Sequence, residues 1–269
     1  MPAKNNMSIS RIKAVILQSL YNLRHSLEDI VETFFWPFID VILWGFITLY
    51  FAGLEGQAST LVVFLLGGII LWNIVYRAQQ DIGFALLRNV WSRNILNLFS
   101  SPLTPWEFMF ATMALGLVKT VLTLFVVSAI AFVFYSFNIF SLGFYLLPFF
   151  VGLIVFSWAA GIFITGLIIR FGMRIQAFVW SLTFLIYPIS AVFYPVSVLP
   201  AFLQKVAQFL PTAHIFEGMR EVLVTGTLSS ERLIWAFSLD IGYMLLAAWF
   251  FVIMFEKARE KGKLARVEM

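Results

Sequence analysis

Apolar residues dominate this chain in long runs, and the polar stretches between them mark out its elements. Ile9, Ile12, Ile16, Leu20, Leu23, Leu27 and Ile30 recur at the spacing of one helical face, with Arg11, Lys13, Gln18, Asn22, Arg24 and Glu28 around much of the rest. That pattern predicts an amphipathic helix over residues 9–31 lying in a membrane interface. Runs long enough to cross a hydrocarbon core of about 30 Å then follow. Six spans are expected, near Phe34–Phe51, Leu61–Tyr76, Phe108–Tyr135, Phe144–Ile169, Ile175–Tyr194 and Leu233–Phe255. The charge-free run from Val121 to Ile169 is too long for one crossing, and Ser136 to Gly143 supplies the turn that divides it.

Two stretches are too polar to span and too apolar to float free. In Asn89–Met109, Val90, Trp91, Ile95, Leu98 and Phe99 fall on roughly one face of a short helix. Thr104, Pro105 and Glu107 then form a helix-start signal: a capping side chain, a proline at the first position and a carboxylate three residues after the cap. The second stretch covers residues 195–228. Pro200 opens a short helix with Phe202, Leu203, Val206, Phe209 and Leu210 on one face, Pro211 breaks it, and His214–Val224 forms a second amphipathic piece. Two short helices on the membrane surface are expected, re-entrant or interfacial.

Composition agrees with the pattern. Of 269 residues, 61% are hydrophobic and 12% charged, and mean hydropathy is +0.93, against roughly 25% charged residues in soluble domains. The fold class expected is an all-α polytopic membrane protein forming one transmembrane domain. The chain has no cysteine, which excludes disulfides, iron–sulfur ligation and a thiol nucleophile, and its two histidines, His25 and His214, lie far apart in sequence. No metal site is expected.

The distribution of charge sets the orientation. Lys4, Arg11, Lys13 and Arg24 precede the first span, Arg77, Arg88 and Arg93 follow the second, Arg170 and Arg174 flank the fourth and fifth, and Lys257, Arg259, Lys261, Lys263 and Arg266 follow the sixth. All fall on one side, which predicts cytoplasmic termini, a cytoplasmic tail over residues 256–269 and an inner or plasma membrane location. Asn89–Met109 is then cytoplasmic as well. Residues 195–228 face outward.

Charged groups inside apolar runs are costly and raise a functional question. Asp40 lies in the first span and Lys119 in the third, with Asp81 and Asp240 nearer span ends. A structural Asp40–Lys119 ion pair is one reading; direct substrate contact is the other. Thr112, Gly116 and Thr120 form a ladder of small residues at intervals of four, which favours close helix packing. The chain lacks Gly-x-x-x-x-Gly-Lys-Ser/Thr, its Gly262–Lys263 pair having no upstream glycine, so it does not cradle ATP phosphates in that way.

Three stretches resemble the membrane subunits of type-2 ABC exporters, a class that includes drug, Nod-factor and polysaccharide exporters. They are NLFSSPLTPWE (Asn97–Glu107), FYPVSVLP (Phe193–Pro200) followed by Pro211, and His214–Gly226 before the last span. The run before the first span lacks the aromatic and basic pattern of a polysaccharide exporter and is closer to the drug and Nod-factor branch. The resemblance implies a dimer, homodimeric or with a related permease, bound to two copies of a separate ATPase that carries ATP and Mg²⁺. No cofactor is expected on this chain and no nucleic-acid partner. By resemblance, Arg93, Asn94, Ile95, Leu98, Phe99 and Ser100, within a coupling region over residues 88–101, would dock on the ATPase. The first, second and fifth spans would line the route, and the outer helices would cap its exit, with Tyr194, Pro195, Pro200, Glu217 and Arg220 as gate candidates. A stand-alone channel or secondary carrier, and a membrane-embedded enzyme, are the alternatives; no internal repeat supports the carrier, and the intramembrane acids are too scattered for an active site. The substrate expected is an amphipathic or drug-like molecule or a lipid-linked glycan. The 18% aromatic content, including Trp36, Trp44, Trp72, Trp158 and Trp180, would suit either, though interface belts account for many such residues.

Overall fold

A computed structural model describes residues 7–25, 27–55, 58–92, 94 and 101–260. Its described residues are helical and contain no strand. The amphipathic start is α1 (Ile9–His25), followed by the single turn α2 (Leu27–Ile30) and a π-helical turn at Val31–Phe35 that runs into α3 (Trp36–Glu55). Next come α4 (Ala58–Trp91), α5 (Pro105–Tyr135), α6 (Leu146–Phe171), α7 (Phe178–Ile186), α8 (Ala201–Ala207), α9 (Pro211–Thr225) and α10 (Ser230–Glu260). Five helices among the described residues are long and apolar enough to cross a membrane, and they begin at Thr33, Val62, Pro105, Ile139 and Ser230.

The centre of the bundle is α4. It packs against α3, α5, α6, α7 and α9, and its apolar window is 72% buried within the chain, against 17% for α10. The chain therefore covers α4 and leaves most of α10 uncovered. That difference explains why α4 outruns the expected span at Tyr76. Its 34 residues reach about 51 Å at 1.5 Å per residue, and the polar positions Arg77, Gln79, Gln80 and Asp81 that end the apolar run are buried in protein contacts rather than lost to solvent. Close approach is permitted by Gly161 of α6, where a Cβ would lie 2.8 Å from the Cβ of Ile82.

α5 ends where Ser136 adopts a left-handed conformation (φ 54°) and donates its amide to Phe132 while Phe137 donates to Ala131. A 3₁₀ segment, Ile139–Tyr145, leads into α6.

The stretch expected as a fifth span, Ile175–Tyr194, is not one continuous helix. α7 has 9 residues, about 14 Å, half of what a crossing needs. Pro188 removes a donor and its ring blocks the preceding turn, and Ala191 sits at φ 54°. The irregular backbone beyond is sheltered by protein, since Ser190, Ala191 and Val192 are all buried. Gly68 of α4 backs directly onto it, with a hypothetical Cβ 2.6 Å from the Val192 carbonyl oxygen.

Candidate functional site

At the α1 end of the bundle, Glu107 joins three segments. Thr104 caps α5: its hydroxyl accepts the Glu107 amide at 3.2 Å, and Glu107 Oε2 accepts the Thr104 amide at 2.7 Å. This reciprocal box follows from the Thr-Pro-x-Glu spacing. The same carboxylate also reaches α1, where Oε1 accepts the Ser8 amide at 2.6 Å and pairs with Arg11 Nη2 at 2.9 Å. Arg11 donates in turn to the Pro102 carbonyl. One buried side chain thus fastens the amphipathic helix, the 101–104 loop and the start of α5. The cap is legible locally, but the Ser8 and Arg11 contacts span about a hundred residues and carry no sequence signal.

About 18 Å further along α5, α4 and α5 are held by a buried charge cluster. Arg77 Nη2 lies 2.7 Å and Nε 3.3 Å from the Asp81 carboxylate, and Lys119 Nζ reaches Asp81 Oδ1 at 3.3 Å. The Asp40–Lys119 pair expected from sequence is therefore replaced by Asp81–Lys119. The reason is geometric: α4 continues straight past Tyr76, which brings Asp81 level with Lys119 across the α4–α5 seam. Gly116 gives room for it, its hypothetical Cβ falling 3.2 Å from Asp81 Cβ. Asp40 is half-buried on α3 and makes no hydrogen bond or ion pair among the described residues. A cavity of about 220 Å³ opens next to the cluster, lined by Asp81, Arg88, Asn89, Lys119 and Gln18.

Of the docking candidates, Arg93, Ile95, Leu98, Phe99 and Ser100 lie outside the described residues. Asn94 is described, with its backbone amide donating to Asn89 O at 2.9 Å and its side chain to Asn89 Oδ1 at 3.1 Å. Val90 and Trp91, grouped by spacing with the short helix, instead complete the last turn of α4, and Val90 is buried.

At the opposite end, Glu217 and Arg220 of α9 form a clamp on the irregular 187–199 stretch. Glu217 Oε1 accepts the Val196 amide at 2.7 Å and Arg220 Nη2 at 3.0 Å, while Arg220 Nη1 donates to the Val192 carbonyl at 3.4 Å. Burial pushes the Arg220 guanidinium down from its ordinary value, and Glu217 opposes that shift. Tyr194 donates its hydroxyl to Pro188 O at 2.6 Å, Pro195 precedes the 3₁₀ turn Val196–Val198, and Pro200 precedes α8. Pro211, expected as a breaker, sits in the first turn of α9, where a missing N–H costs nothing. Ser190 and Thr212 share a buried hydrogen bond of 2.8 Å that sequence gave no reason to expect. Asp240 of α10 is fully buried, with neither carboxylate oxygen hydrogen-bonded among the described residues, against Gly152 and so between α6 and α10. No group of three or more potential metal ligands occurs among the described residues.

Residues 23–224 match the model of a protein family described as ABC-2 type transporter. No curated protein matches the chain.

Proposed function

Because the chain belongs to the ABC-2 type transporter family, whose model spans well over half of it, we propose that it is the permease subunit of an ATP-driven exporter. It is a multi-pass membrane protein, and permeases of this family typically pair with an ABC ATPase. In this reading two copies of the permease form the route, and the ATPase subunits supply ATP and Mg²⁺ chemistry. The loop from Arg93 to Ser100 docks on the ATPase, on the cytoplasmic side that the Lys and Arg bias assigns to it. The observation that supports this most is the Glu107 node. A docking loop transmits force only if it is mechanically tied to spans, and the loop's far end, residues 101–104, is tied to α5 and α1 through one buried carboxylate. Its near end continues from α4, which Asp81 links to α5. On the outer side, α8 and α9 with the Glu217–Arg220 clamp cap the exit. The cargo is amphipathic, drug-like or a lipid-linked glycan.

The test is co-purification with an ABC ATPase subunit co-expressed with the chain. Changing Leu98 and Phe99 together to Asp is expected to abolish both complex formation and coupled ATPase activity. Retention of both by the double variant refutes the docking role.

A further inference from the structure

Asp40 poses a problem that the Lys119–Asp81 pairing creates. It lies about 3 Å along the helix axis from the centre of the Thr33–Phe51 span, close to the depth where a carboxylate is most costly. Its expected counter-ion belongs to another acid. Asp40 itself makes no hydrogen bond or ion pair among the described residues and is only half-buried, so the chain leaves part of it uncovered.

Around that position the fold assembles aromatic rings from three elements. Trp44 is one turn from Asp40 on the same face of α3. Its ring lies 4.2 Å from that of Phe193, Phe193 lies 5.3 Å from Tyr187 edge-on, and Tyr187 lies 4.5 Å from Trp72 of α4. The rings are not an accident of a straight apolar helix. Phe193 and Tyr187 reach this position because the backbone breaks at Pro188 and turns back through Ala191, held there by Arg220 and Gly68.

An unpaired carboxylate beside contiguous π-faces, in a low-dielectric setting, is the recognition chemistry of an organic cation with an apolar body. The ring faces attract the diffuse positive charge, the carboxylate neutralises it, and neither group needs a hydrogen-bond donor from the ligand. A glycan would need several directional partners, and this patch offers a single carboxylate. We propose that Asp40, with the half-buried rings of Trp44, Phe193 and Tyr187, the last backed by buried Trp72, forms a binding site for amphipathic organic cations, which makes lipophilic cations the substrate class of the exporter. The substrate assignment rests on the exporter reading; the binding site does not.

The experiment compares two ions of the same shape and opposite charge, tetraphenylphosphonium and tetraphenylborate. Binding to the full chain in nanodiscs is measured against empty nanodiscs, with no ATPase present. Selective binding of the phosphonium is expected, falling about tenfold in Asp40→Asn and in Trp44→Leu, with Trp44→Phe retaining most of it and tetraphenylborate unaffected by Asp40→Asn. Equal binding of the two ions, or unchanged phosphonium binding in an Asp40→Asn protein whose thermal midpoint matches the parent, overturns the site. Because no nucleotide enters the assay, loss of the site leaves the ATPase-docking result standing, and failure of docking leaves the cation result standing.

Discussion

Replacing Asp81 by Asn tests the charge cluster that joins α4 to α5. The structure places Arg77 Nη2 at 2.7 Å and Lys119 Nζ at 3.3 Å from Asp81 Oδ1, with all three side chains no more than 5% exposed. At 3.3 Å and an effective dielectric of about 20, the Lys119 attraction alone is about 5 kcal/mol before desolvation is subtracted. Desolvating the pair offsets much of that, so the pair itself is worth less than its Coulomb energy. Asp81→Asn is different, because it leaves Arg77 and Lys119 buried without their shared carboxylate. The expected loss is about 3–5 kcal/mol. Lys119→Met removes one cation and leaves the Arg77–Asp81 pair intact, at about 1 kcal/mol or less. The double variant should recover part of the Asp81→Asn loss, a coupling of about 2 kcal/mol. The parallel cycle, Asp40→Asn with Lys119→Met, should be additive within about 0.5 kcal/mol. Reversible unfolding in mixed micelles, followed by circular dichroism, reads all these values. Coupling of Lys119 to Asp40 rather than to Asp81 would refute the geometry and with it the unpaired carboxylate on α3.

Two further predictions probe the ends of the bundle. Gly68→Ala places a Cβ 2.6 Å from the Val192 carbonyl oxygen, and since that atom belongs to backbone, the neighbour cannot simply rotate away. A loss of about 1–3 kcal/mol is expected, read as a lower thermal midpoint; an unchanged midpoint would mean that α4 does not back onto the broken stretch. Glu107→Ala should speed hydrogen exchange at the amides of Ser8 and Thr104 together, because both donate to the one carboxylate, while Glu107→Gln should retain much of the protection at Thr104. Faster exchange at Thr104 alone would show that α1 is not tied to this residue.

What could be read from the sequence was local or periodic. The Thr104–Glu107 box needs only a spacing of three, and the first amphipathic helix needs only a face of apolar residues, so both were legible without knowledge of neighbours. Pairing across helices was not. Whether Lys119 meets Asp40 or Asp81 depends on the rotation and depth of three separate helices, and hydropathy misled on depth by ending the second span at Tyr76. Arg77, Gln79, Gln80 and Asp81 look like the exit from a membrane when the only choices are lipid and water. Burial within protein is a third choice, and it lets α4 continue through them. The fifth stretch departs from a continuous helix for the complementary reason. Uniform apolarity from Ile175 to Tyr194 cannot distinguish a continuous helix from a short helix and a turn wrapped in protein, and Pro188 was the sole local sign of the break.

The polar fastenings divide the bundle in a way the apolar core does not. Asp81 joins α4 to α5, Glu107 joins α5 to α1, and Gln79 and Gln80 donate side-chain amides to the Val179 carbonyl of α7, with Thr183 donating to Gln79. Each of these contacts is directional and lies toward the α1 end of α4. At the other end α4 meets the broken stretch at Gly68, where the contact is steric, and the stretch's own polar ties run to α9 through Glu217, Arg220 and Thr212. A displacement applied at residues 92–104 would therefore move α1, α4, α5 and α7 together. The interface with directional bonds on one side and a close backbone approach on the other is the Gly68–Val192 contact. That contact also adjoins Phe193, the ring packed on Trp44, so in the proposed reading α4 is the element shared by the docking segment and the cation site.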